Sequence, residues 1–364
     1  MRITLDATPL LGPRTGIGRY VHHLLAELPG ALARRGVAGD LRATTWTARG
    51  AALTQLPAGV RQVGPRVPAR VLRELWRRTD LPPIEALVGR TDVFHGTNFV
   101  SPPTRRAREV LTVHDLTYVH HAGTVSSASL LYRELVPRAL RRGAVVVTPS
   151  RAVADAVRSH YALPDDAVHP TPLGVDDAWF AAQPPSARRR AELGLPDDYL
   201  LFVGSLDPRK NLPALLRAFE AVRRTTPDAP ALVLAGPAGR ETALAAQDGV
   251  HLTGWLADAD LRDVVAGCRA LVLPSLDEGF GLPVLEALAC GRPVVAADIP
   301  ALREVAGDLA VLACPTDDDA LADALTRVLT APDGDDERAR RRARAQTFTW
   351  AACADRTLDV YGAA

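Results

Sequence analysis

Two clusters of charged residues in the second half of the chain have the types and spacing that chemistry would need. In the first, Arg209 and Lys210 follow an apolar strand that ends at Gly204, and they immediately precede a predicted helix. Cations are disfavoured at a helix N-terminus, so a bound anion would resolve the conflict. Lys210 is also the only lysine among 43 basic residues, which suggests that its compact ammonium group matters. The cluster predicts a diphosphate-binding loop, and the alternative is a pair of exposed loop charges.

The second cluster places Glu278 and Glu286 in a glycine-rich stretch between two apolar strands. Gly281 is predicted to be the N-cap of a helix, Pro283 to lie in its first turn and Gly291 to follow its end. Glycines let a ligand approach the backbone, and the helix N-terminus offers unpaired N–H groups. Carboxylates repel phosphate, so the glutamates are expected to bind hydroxyl groups. A ligand with both phosphates and many hydroxyls is a nucleotide sugar.

Two histidines in the first half stand where predicted strands end. His95 and His114 are expected at the carboxyl edge of a parallel sheet, where open α/β folds bind ligands. Asp115 directly follows His114 and is expected to orient or charge its imidazole. The glycine loop at 16–21 lacks the third glycine of a dinucleotide fingerprint, which disfavours an NAD-dependent oxidoreductase. The loop is interpreted as a place where a phosphate or substrate approaches the first strand.

The scaffold that must position these residues is predicted to be α/β. Short apolar segments alternate with helical segments in both halves, which is typical of doubly wound parallel sheets. A length of 364 residues predicts two domains. The expected division is an N-terminal Rossmann-like domain at 1–177, a linker at 178–198, a C-terminal Rossmann-like domain at 199–345 and a helix at 346–364 packing back towards the first domain.

Composition and cysteine usage indicate a soluble globular protein. Apolar residues make up 47% and charged residues 23% of the chain. No apolar run approaches the ~20 residues of a membrane span, and the N-terminus predicts a strand instead of a signal peptide. The four cysteines lack metal-ligand spacing and are interpreted as free buried thiols. A cytoplasmic location is therefore expected.

Charge is distributed unevenly along the chain. The net charge is +1, but residues 1–177 carry +8 and residues 178–364 carry −7. The basic half indicates attraction to an anionic substrate or membrane surface, or else complementarity between the two halves. Residues 61–80 interleave arginines with apolar residues, and two interpretations stay open. The segment is either a basic amphipathic helix lying against a membrane or an anionic acceptor, or an ordinary half-exposed helix with a solvated face.

Taken together, the motifs resemble family 4 of the retaining glycosyltransferases, which have the two-domain GT-B fold. The resemblance covers nearly the whole chain and is strongest for bacterial mannosyltransferases. It rests on the pair Glu278 and Glu286 and on segments 15–20, 113–116, 172–176 and 203–211. One departure is Ser205, which stands where some relatives carry an additional arginine and so leaves more of the charge to the two cations that follow.

The resemblance implies a role for each site residue. Arg209 and Lys210 would neutralise the departing diphosphate, and Glu286 would bind the nucleotide ribose. Glu278 would contact hydroxyls of the donor sugar, and His114 would lie beside that sugar at the reaction centre. These residues, apart from Glu286, are the predicted catalytic group. The donor-binding set adds backbone and flanking positions to Arg209, Lys210, Glu278 and Glu286, namely Gly16, Gly204, Ser205, Gly236, Trp255, Leu256, Gly279, Phe280, Gly281 and Leu282.

The implied reaction is a metal-independent transfer of a hexose, with retention, to a hydroxyl of a glycan, lipid-linked or small-molecule acceptor. GDP-mannose is the first candidate donor, and dTDP- and UDP-sugars stay open. No cofactor and no nucleic-acid partner is expected, whereas a peripheral contact of the basic N-terminal domain with the inner face of the membrane is considered. The acidic runs at 258–260 and 317–319 are interpreted as helix caps. The alternatives are a nucleotide-sugar epimerase and a non-catalytic sugar-nucleotide-binding protein of the same fold.

Overall fold

The computed structural model describes residues 1–12, 15–47, 53, 56–226, 228–237 and 247–362. The chain divides into two compact units. One comprises Met1–Gly174 together with Thr349–Ala364, and the other comprises Val175–Phe348. Residues 178–198, predicted to be a linker, lie inside the second unit. They are attached there by Arg189, which binds both carboxylate oxygens of Asp260 at 2.7 and 2.8 Å.

A parallel sheet forms the centre of the first unit. Its strands are mostly buried apolar runs, as expected for a sheet covered on both faces. In chain order they are β1 (Arg2–Asp6), β2 (Asp40–Thr44), β3 (Val60–Gln62), β4 (Val93–Gly96), β5 (Arg108–Thr112), β6 (Val145–Thr148) and β7 (Val168–Pro170). Their spatial order is β3-β2-β1-β4-β5-β6-β7, with parallel pairing throughout. The order reverses between β1 and β4, which makes the sheet doubly wound.

The helices of the first unit connect these strands. They are α1 (Gly16–Arg34), α2 (Ala69–Arg78), α3 (Glu85–Val88), α4 (Thr117–His120), α5 (Ser127–Leu130), α6 (Tyr132–Arg141) and α7 (Arg151–Tyr161). α1 follows the amphipathic pattern, because Tyr20, Leu24 and Leu28 recur one turn apart and are all buried. Short 3-10 turns lie at Thr8–Leu10, Ala122–Thr124 and Asp165–Ala167.

The second unit repeats the architecture with its own sheet. Its strands are β8 (Tyr199–Val203), β9 (Ala231–Ala235), β10 (Val250–Gly254), β11 (Ala270–Leu273), β12 (Val294–Ala297) and β13 (Val311–Ala313). They are arranged in the order β10-β9-β8-β11-β12-β13, and every neighbouring pair is parallel. The strand order therefore reverses between β8 and β11.

Eight helices accompany these strands among the residues described for the second unit. They are α8 (Asp177–Phe180), α9 (Ala187–Glu192), α10 (Leu212–Thr225), α11 (Asp258–Gly267), α12 (Leu282–Ala289), α13 (Pro300–Ala306), α14 (Asp318–Thr330) and α15 (Asp335–Gln346). Both acidic runs lie at helix starts as predicted. Asp317 caps α14 through a hydrogen bond from the backbone N of Ala320 at 3.0 Å, whereas Asp258 opens α11 without being its N-cap. Within the described ranges, no three His, Cys, Asp or Glu side chains are grouped to hold a metal ion.

Two arginines of α15 bind carbonyl oxygens at the end of α12. Arg342 donates from Nε to the carbonyl of Ala289 at 3.2 Å, and Arg341 donates to the carbonyl of Gly291 at 2.8 Å. Cations are favoured at a helix C-terminus, where the last carbonyls lack partners inside the helix. α15 thereby fixes the end of α12, the helix that carries Glu286.

The last helix, α16 (Trp350–Tyr361), belongs to the first unit and packs against α1. The indole of Trp350 stacks on the imidazole of His23 with ring centroids 4.5 Å apart. Arg34 of α1 forms an ion pair with Asp355 at 2.9 Å. The charged tail of the chain is thus two helices, because α15 and α16 are separated by residues 347–349.

The basic segment at 61–80 forms β3 and α2. Leu72 and Trp76 are buried in a core cluster with Trp46, so one face of α2 packs on the core of the first unit. Within the described residues, no helix is long and apolar enough to cross a membrane.

The cysteines correct one sequence-based expectation. All four are free thiols, and Cys268 and Cys353 are buried as predicted. Cys290 is half-buried and Cys314 is exposed, so the prediction of buried thiols was wrong for Cys314. The reason is its place directly after β13, a short strand at the edge of the sheet.

Candidate functional site

The charged residues singled out in the sequence lie on two loops that leave neighbouring strands of the second unit. Arg209 and Lys210 follow β8, and Glu278 follows β11. β8 and β11 are paired at the point where the strand order reverses. Open α/β sheets bind ligands at this switch point, where loops separate to opposite sides of the sheet and leave a crevice.

Lys210 and Glu278 form a largely buried ion pair. Nζ of Lys210 donates to Oε1 of Glu278, and Nη1 of Arg209 lies 3.2 Å from Oε2 of the same carboxylate. The side chains of Lys210 and Glu278 are each 10% exposed. Burial raises the pKa of Glu278, but the two cations outweigh it and bring that pKa to about 2. The carboxylate is therefore ionised at neutral pH, and these three side chains carry one net positive charge.

A buried hydroxyl binds the same carboxylate oxygen as Lys210. Ser275 is fully buried and donates from Oγ to Oε1 of Glu278 at 2.7 Å. Sequence reasoning did not single out Ser275, because a serine at the end of a strand is common. The available signal is its spacing, since a hydroxyl three residues before a loop carboxylate can reach it.

Two hydrogen bonds to backbone carbonyl oxygens join the two loops directly. Nη1 of Arg209 donates to the carbonyl of Asp277 at 2.5 Å, and the backbone N of Leu276 donates to the carbonyl of Arg209 at 2.9 Å. Arg209 thus lies in a fixed position against the loop that carries Glu278. Such preorganisation lets a charged side chain bind a ligand without further ordering.

Asn211 is a second residue that the sequence analysis missed. Its backbone has φ of 57°, a left-handed conformation that asparagine tolerates better than most residues. Its side-chain Nδ2 donates to the carbonyl of Pro274 at 3.2 Å and to that of Pro315 at 2.7 Å. One amide therefore joins the loops after β8, β11 and β13, directly next to Lys210. The signal in the sequence is an asparagine between a cationic loop and a helix.

Gly204, Ser205 and Gly236 line the start of the first loop. A Cβ on Gly236 would lie 1.9 Å from the carbonyl O of Gly204, so this position must be glycine for the ends of β8 and β9 to meet. Gly204 and Ser205 are half-buried, and a Cβ on Gly204 would lie 3.4 Å from Cε of Lys210. The structure therefore accounts for Gly236 by backbone packing, and its predicted contact with a donor stays a prediction.

The caps predicted for the helix after the second loop are confirmed. Gly281 is the N-cap of α12 with φ of 99°, Pro283 lies in the first turn, and Gly291 with φ of 74° directly follows the C-cap. A Cβ on Gly281 would come within 2.4 Å of Cδ2 of Leu302, so packing also demands glycine there. Glu286 lies in the second turn and is only 3% exposed.

Phe280 and Leu256 are core residues by their side chains. Phe280 is 3% exposed and contacts Phe348 edge-on, with ring centroids 5.7 Å apart. Leu256 is 9% exposed, whereas its neighbour Trp255, just after β10, is 46% exposed. A ligand could therefore meet Phe280 through its backbone, as the sequence analysis proposed for residues 280–282, and Trp255 through its indole. Gly279 lies between Glu278 and Phe280 in the same loop.

In the first unit, His114 has a defined protonation state. Nε2 of His114 lies 2.8 Å from the carbonyl O of Thr97, which can only accept, so Nε2 carries the proton. Burial lowers the pKa of His114 and outweighs the opposing effects of Thr97 and Asp115. The neutral ring therefore keeps the lone pair of Nδ1, which can accept a hydrogen bond.

Asp115 does not orient His114 as the sequence analysis expected. Oδ1 of Asp115 accepts a hydrogen bond from the backbone N of Thr117 at 3.0 Å, at the start of α4. The imidazole is positioned instead by Thr97 and by edge-on contacts with two aromatic rings, Tyr20 and Phe99, each at 5.4 Å. Adjacent residues at the end of a strand point to different sides, which explains the correction.

Phe99 holds its place against His114 in an unfavourable backbone conformation. Its φ is 57°, which is rare for a bulky residue, and its backbone N donates to the carbonyl of Thr112 at 3.0 Å. Its ring stacks on Tyr132 with centroids 4.6 Å apart. Strained residues of this kind persist only where the surroundings fix them, and they often occur at functional sites.

His95 lies inside the first unit and not at a ligand-binding edge. Its Nδ1 lies 2.6 Å from the hydroxyl of Tyr361 on α16, and its Nε2 lies 2.7 Å from Oγ1 of Thr112. The hydroxyl of Tyr20 is 3.1 Å from the same Thr112 oxygen. Burial lowers the pKa of His95 to about 3, so it is neutral. Of the two histidines predicted at the edge of the sheet, only His114 lies there. His95 belongs to a buried hydrogen-bond network.

Gly16 is the first residue of α1 and is exposed. The N-cap of this helix is Thr15, whose carbonyl accepts from the backbone N of Arg19 at 2.9 Å. A helix start without side-chain capping keeps backbone N–H groups available for a ligand.

Comparison with known proteins identifies families and relatives that this chain is similar to. Residues 14–179 match the family described as Glycosyltransferase Family 4, and residues 197–331 match Glycosyl transferases group 1. O-antigen chain mannosyltransferase B of Escherichia coli is 28% identical, with 99% of both chains covered. D-inositol 3-phosphate glycosyltransferase of Kineococcus radiotolerans is 31% identical over 99% of this chain and 94% of that protein.

A solved structure shows the fold across the full length. HepE of Anabaena, solved in complex with UDP-glucose, superposes with a TM-score of 0.69 at 18% identity, covering 100% of this chain and 99% of that one. With two parallel doubly wound sheets, of seven and six strands among the described residues, this likeness confirms the predicted GT-B fold.

Proposed function

The chain belongs to glycosyltransferase family 4 and is a glycosyltransferase, and we propose that it moves a hexose from a nucleotide-diphospho-sugar to a hydroxyl group with retention of configuration. The observation that carries this proposal is the group formed by Arg209, Lys210 and Glu278 at the switch point of the second unit. Two cations held beside a helix N-terminus suit a diphosphate, and the nearby carboxylates suit hydroxyl groups.

The proposed step breaks the bond between the anomeric carbon of the sugar and the diphosphate oxygen. The electron pair of that bond stays with the diphosphate, whose added negative charge Arg209 and Lys210 neutralise. The acceptor oxygen forms the new bond to the anomeric carbon on the face that the diphosphate leaves, and its proton passes to the departing phosphate oxygen. Positive charge aimed at the leaving group is the form of stabilisation that such a step needs. These side chains supply that charge, so we propose that the transfer is independent of a metal ion.

Glu278 would change partners when the donor binds. Without donor its carboxylate is held by Lys210 and Ser275. Diphosphate oxygens would replace it on the ammonium group, which would leave Glu278 to accept hydrogen bonds from sugar hydroxyls. In this proposal the carboxylate keeps the two cations in place beforehand and then binds the donor sugar.

Glu286 and His114 would each recognise hydroxyl groups. The buried carboxylate of Glu286, in the second turn of α12, would accept from the nucleotide ribose. The neutral imidazole of His114 would accept from a sugar hydroxyl through Nδ1, since its Nε2 proton is engaged by Thr97. Trp255, with 46% of its surface exposed, would stack on the base.

Mannose is the hexose that we propose, with GDP-mannose as the donor. The support is the relative named a mannosyltransferase, which matches the chain over 99% of its length. The solved neighbour with UDP-glucose supports a nucleotide sugar as the class of donor. The proposed acceptor is a hydroxyl of a glycan, lipid-linked or small-molecule acceptor.

The experiment is to incubate the enzyme with GDP-mannose, with and without octyl α-mannoside as acceptor, and to measure GDP release and the product by NMR. We expect acceptor-dependent GDP release and an α-linked product. Conversion of the donor to another sugar nucleotide without acceptor would instead indicate an epimerase. If none of the GDP-, UDP- and dTDP-hexoses released its nucleoside diphosphate, the result would contradict the proposal.

A further inference from the structure

The surface of α2 and the turn after it exposes an unusual set of apolar side chains. Among the described residues, five large apolar side chains are strongly exposed, and three of them lie within 71–81. These three are Val71 at 50%, Leu75 at 42% and Leu81 at 59% exposure. Single exposed apolar residues need no explanation, but a local group of them indicates an interaction surface.

The packing of α2 explains why these side chains point away from the core. Leu72 and Trp76 are buried to 2% and 1% exposure and attach the helix to the first unit. Val71 and Leu75 lie four residues apart, so they share a neighbouring face that the core does not cover. The helix therefore has an inner apolar face that packs in the core of the first unit and a second apolar strip that faces outwards.

Cations surround the outward strip. Five arginines and two acidic residues lie between Arg66 and Leu81. Arg66 and Arg70 are exposed, and the side chain of Arg78 is 68% exposed although it pairs with Glu74. Because arginine buries its aliphatic part and keeps its guanidinium at a polar boundary, this arrangement suits a surface that is apolar beneath and anionic on top.

We propose that Val71, Leu75 and Leu81, together with the surrounding arginines, form a docking surface for an anionic lipid bilayer. This α2 surface would lie in the headgroup region, with its apolar side chains inserted and its arginines on lipid phosphates. A second copy of the chain is the weaker candidate, because self-association would bring two arginine-rich faces together. The inference goes beyond the proposed transferase activity and does not depend on it.

The test is sedimentation of the whole chain with vesicles of phosphatidylglycerol and phosphatidylcholine in equal parts, and with vesicles of phosphatidylcholine alone. We expect binding to the anionic vesicles only, weakened by salt. Leu75→Glu should weaken binding by about tenfold, or ~1.4 kcal/mol, because it removes an apolar contact and adds repulsion. Leu252→Glu is the matched control, since Leu252 in the second unit is also 42% exposed.

Each outcome decides the proposal. Normal binding by the Leu252→Glu variant and weak binding by the Leu75→Glu variant, with equal melting temperatures, support it. No binding of the unchanged protein to anionic vesicles overturns it, and so does equal binding by both variants. If light scattering shows that the unchanged protein is a dimer and that Leu75→Glu makes it monomeric, the surface binds a second copy and the lipid proposal is also overturned.

Discussion

Lys210 and Glu278 lie 68 residues apart in the chain, and their side chains form a buried ion pair between two loops at the switch point of a doubly wound sheet. The pair contains the only lysine of the protein. Arg209 and Ser275 bind the same carboxylate. The relationship matters because each partner is proposed to bind a different part of one ligand, the diphosphate and the sugar.

Lys210→Met should reduce transfer by at least ~100-fold, because ~2.7 kcal/mol of stabilisation of the leaving group is lost. It should also destabilise the protein by about 3–5 kcal/mol, since it leaves a buried carboxylate without its closest partner. The double variant Lys210→Met/Glu278→Gln removes both charges and should regain most of the stability without regaining transfer. Turnover rates and urea unfolding measure the two effects. Recovery of transfer in the double variant would contradict the assigned role of the ammonium group.

Asn211 should act as a positioning residue, and two substitutions separate its backbone role from its side-chain role. Asn211→Gly keeps the left-handed conformation but loses the bonds to Pro274 and Pro315. Asn211→Asp also tolerates the conformation but places a carboxylate against two carbonyl oxygens. We expect the KM for the donor to rise by roughly tenfold in the Asn211→Gly variant and by more in the Asn211→Asp variant. The reason is that each buried polar group left without a partner costs ~1–3 kcal/mol. Unchanged donor KM in the aspartate variant would show that the loop position does not depend on this amide.

Glu286→Gln should weaken nucleotide binding by about 10–100-fold, because hydrogen bonds to a charged group contribute ~1.5–3 kcal/mol. kcat should change less, since the ribose is remote from the bond that breaks. Titration calorimetry with GDP and with 2′,3′-dideoxy-GDP provides the control. The unchanged protein and the variant should bind the dideoxy nucleotide equally. An equal loss for both nucleotides would mean that Glu286 acts on something other than the ribose hydroxyls.

His95 should make stability depend on pH in a window of its own. Burial lowers its pKa in the folded protein to about 3 from an ordinary value of 6.5, so between these values the unfolded chain binds a proton that the folded chain does not. The contribution of His95 to the free energy of unfolding is therefore fully present above pH 6.5. It falls as the pH decreases below that value, by up to ~1.4 kcal/mol per pH unit. His95→Asn should lose this dependence between about pH 6.5 and 5. A variant whose melting temperature falls with pH as steeply as that of the unchanged protein would exclude His95 as the cause.

The regular elements could be predicted from local patterns. The apolar strand predicted to end at Gly204 is β8, and all of its residues are buried, as a sheet covered on both faces requires. The helix predicted between Gly281 and Gly291 is α12, at Leu282–Ala289. The helix predicted at 346–364 begins only at Trp350, because α15 extends to Gln346 and residues 347–349 separate the two helices. Helix breaks of this kind are set by packing and are not visible in residue periodicity.

Pairings between distant residues could not be predicted. His95 was placed at the ligand edge, but it is bound by Tyr361, which comes 266 residues later. Glu278 was expected to contact sugar hydroxyls, and its bond to Lys210 joins two motifs that the sequence analysis treated separately. Spacing along a strand or helix shows which residues lie on the same face, but it does not show which loops meet at the edge of a sheet.

The most direct test of the account is the melting temperature of the protein with GDP, UDP and dTDP, measured beside the Lys210→Met/Glu278→Gln variant. A nucleotide at ~100 times its dissociation constant adds ~2.7 kcal/mol of stability, which gives a clear upward shift. We expect such a shift with at least one nucleoside diphosphate, largest with GDP, and its loss in the variant. No shift with any of the three, or equal shifts in both proteins, would contradict a diphosphate site at Arg209 and Lys210.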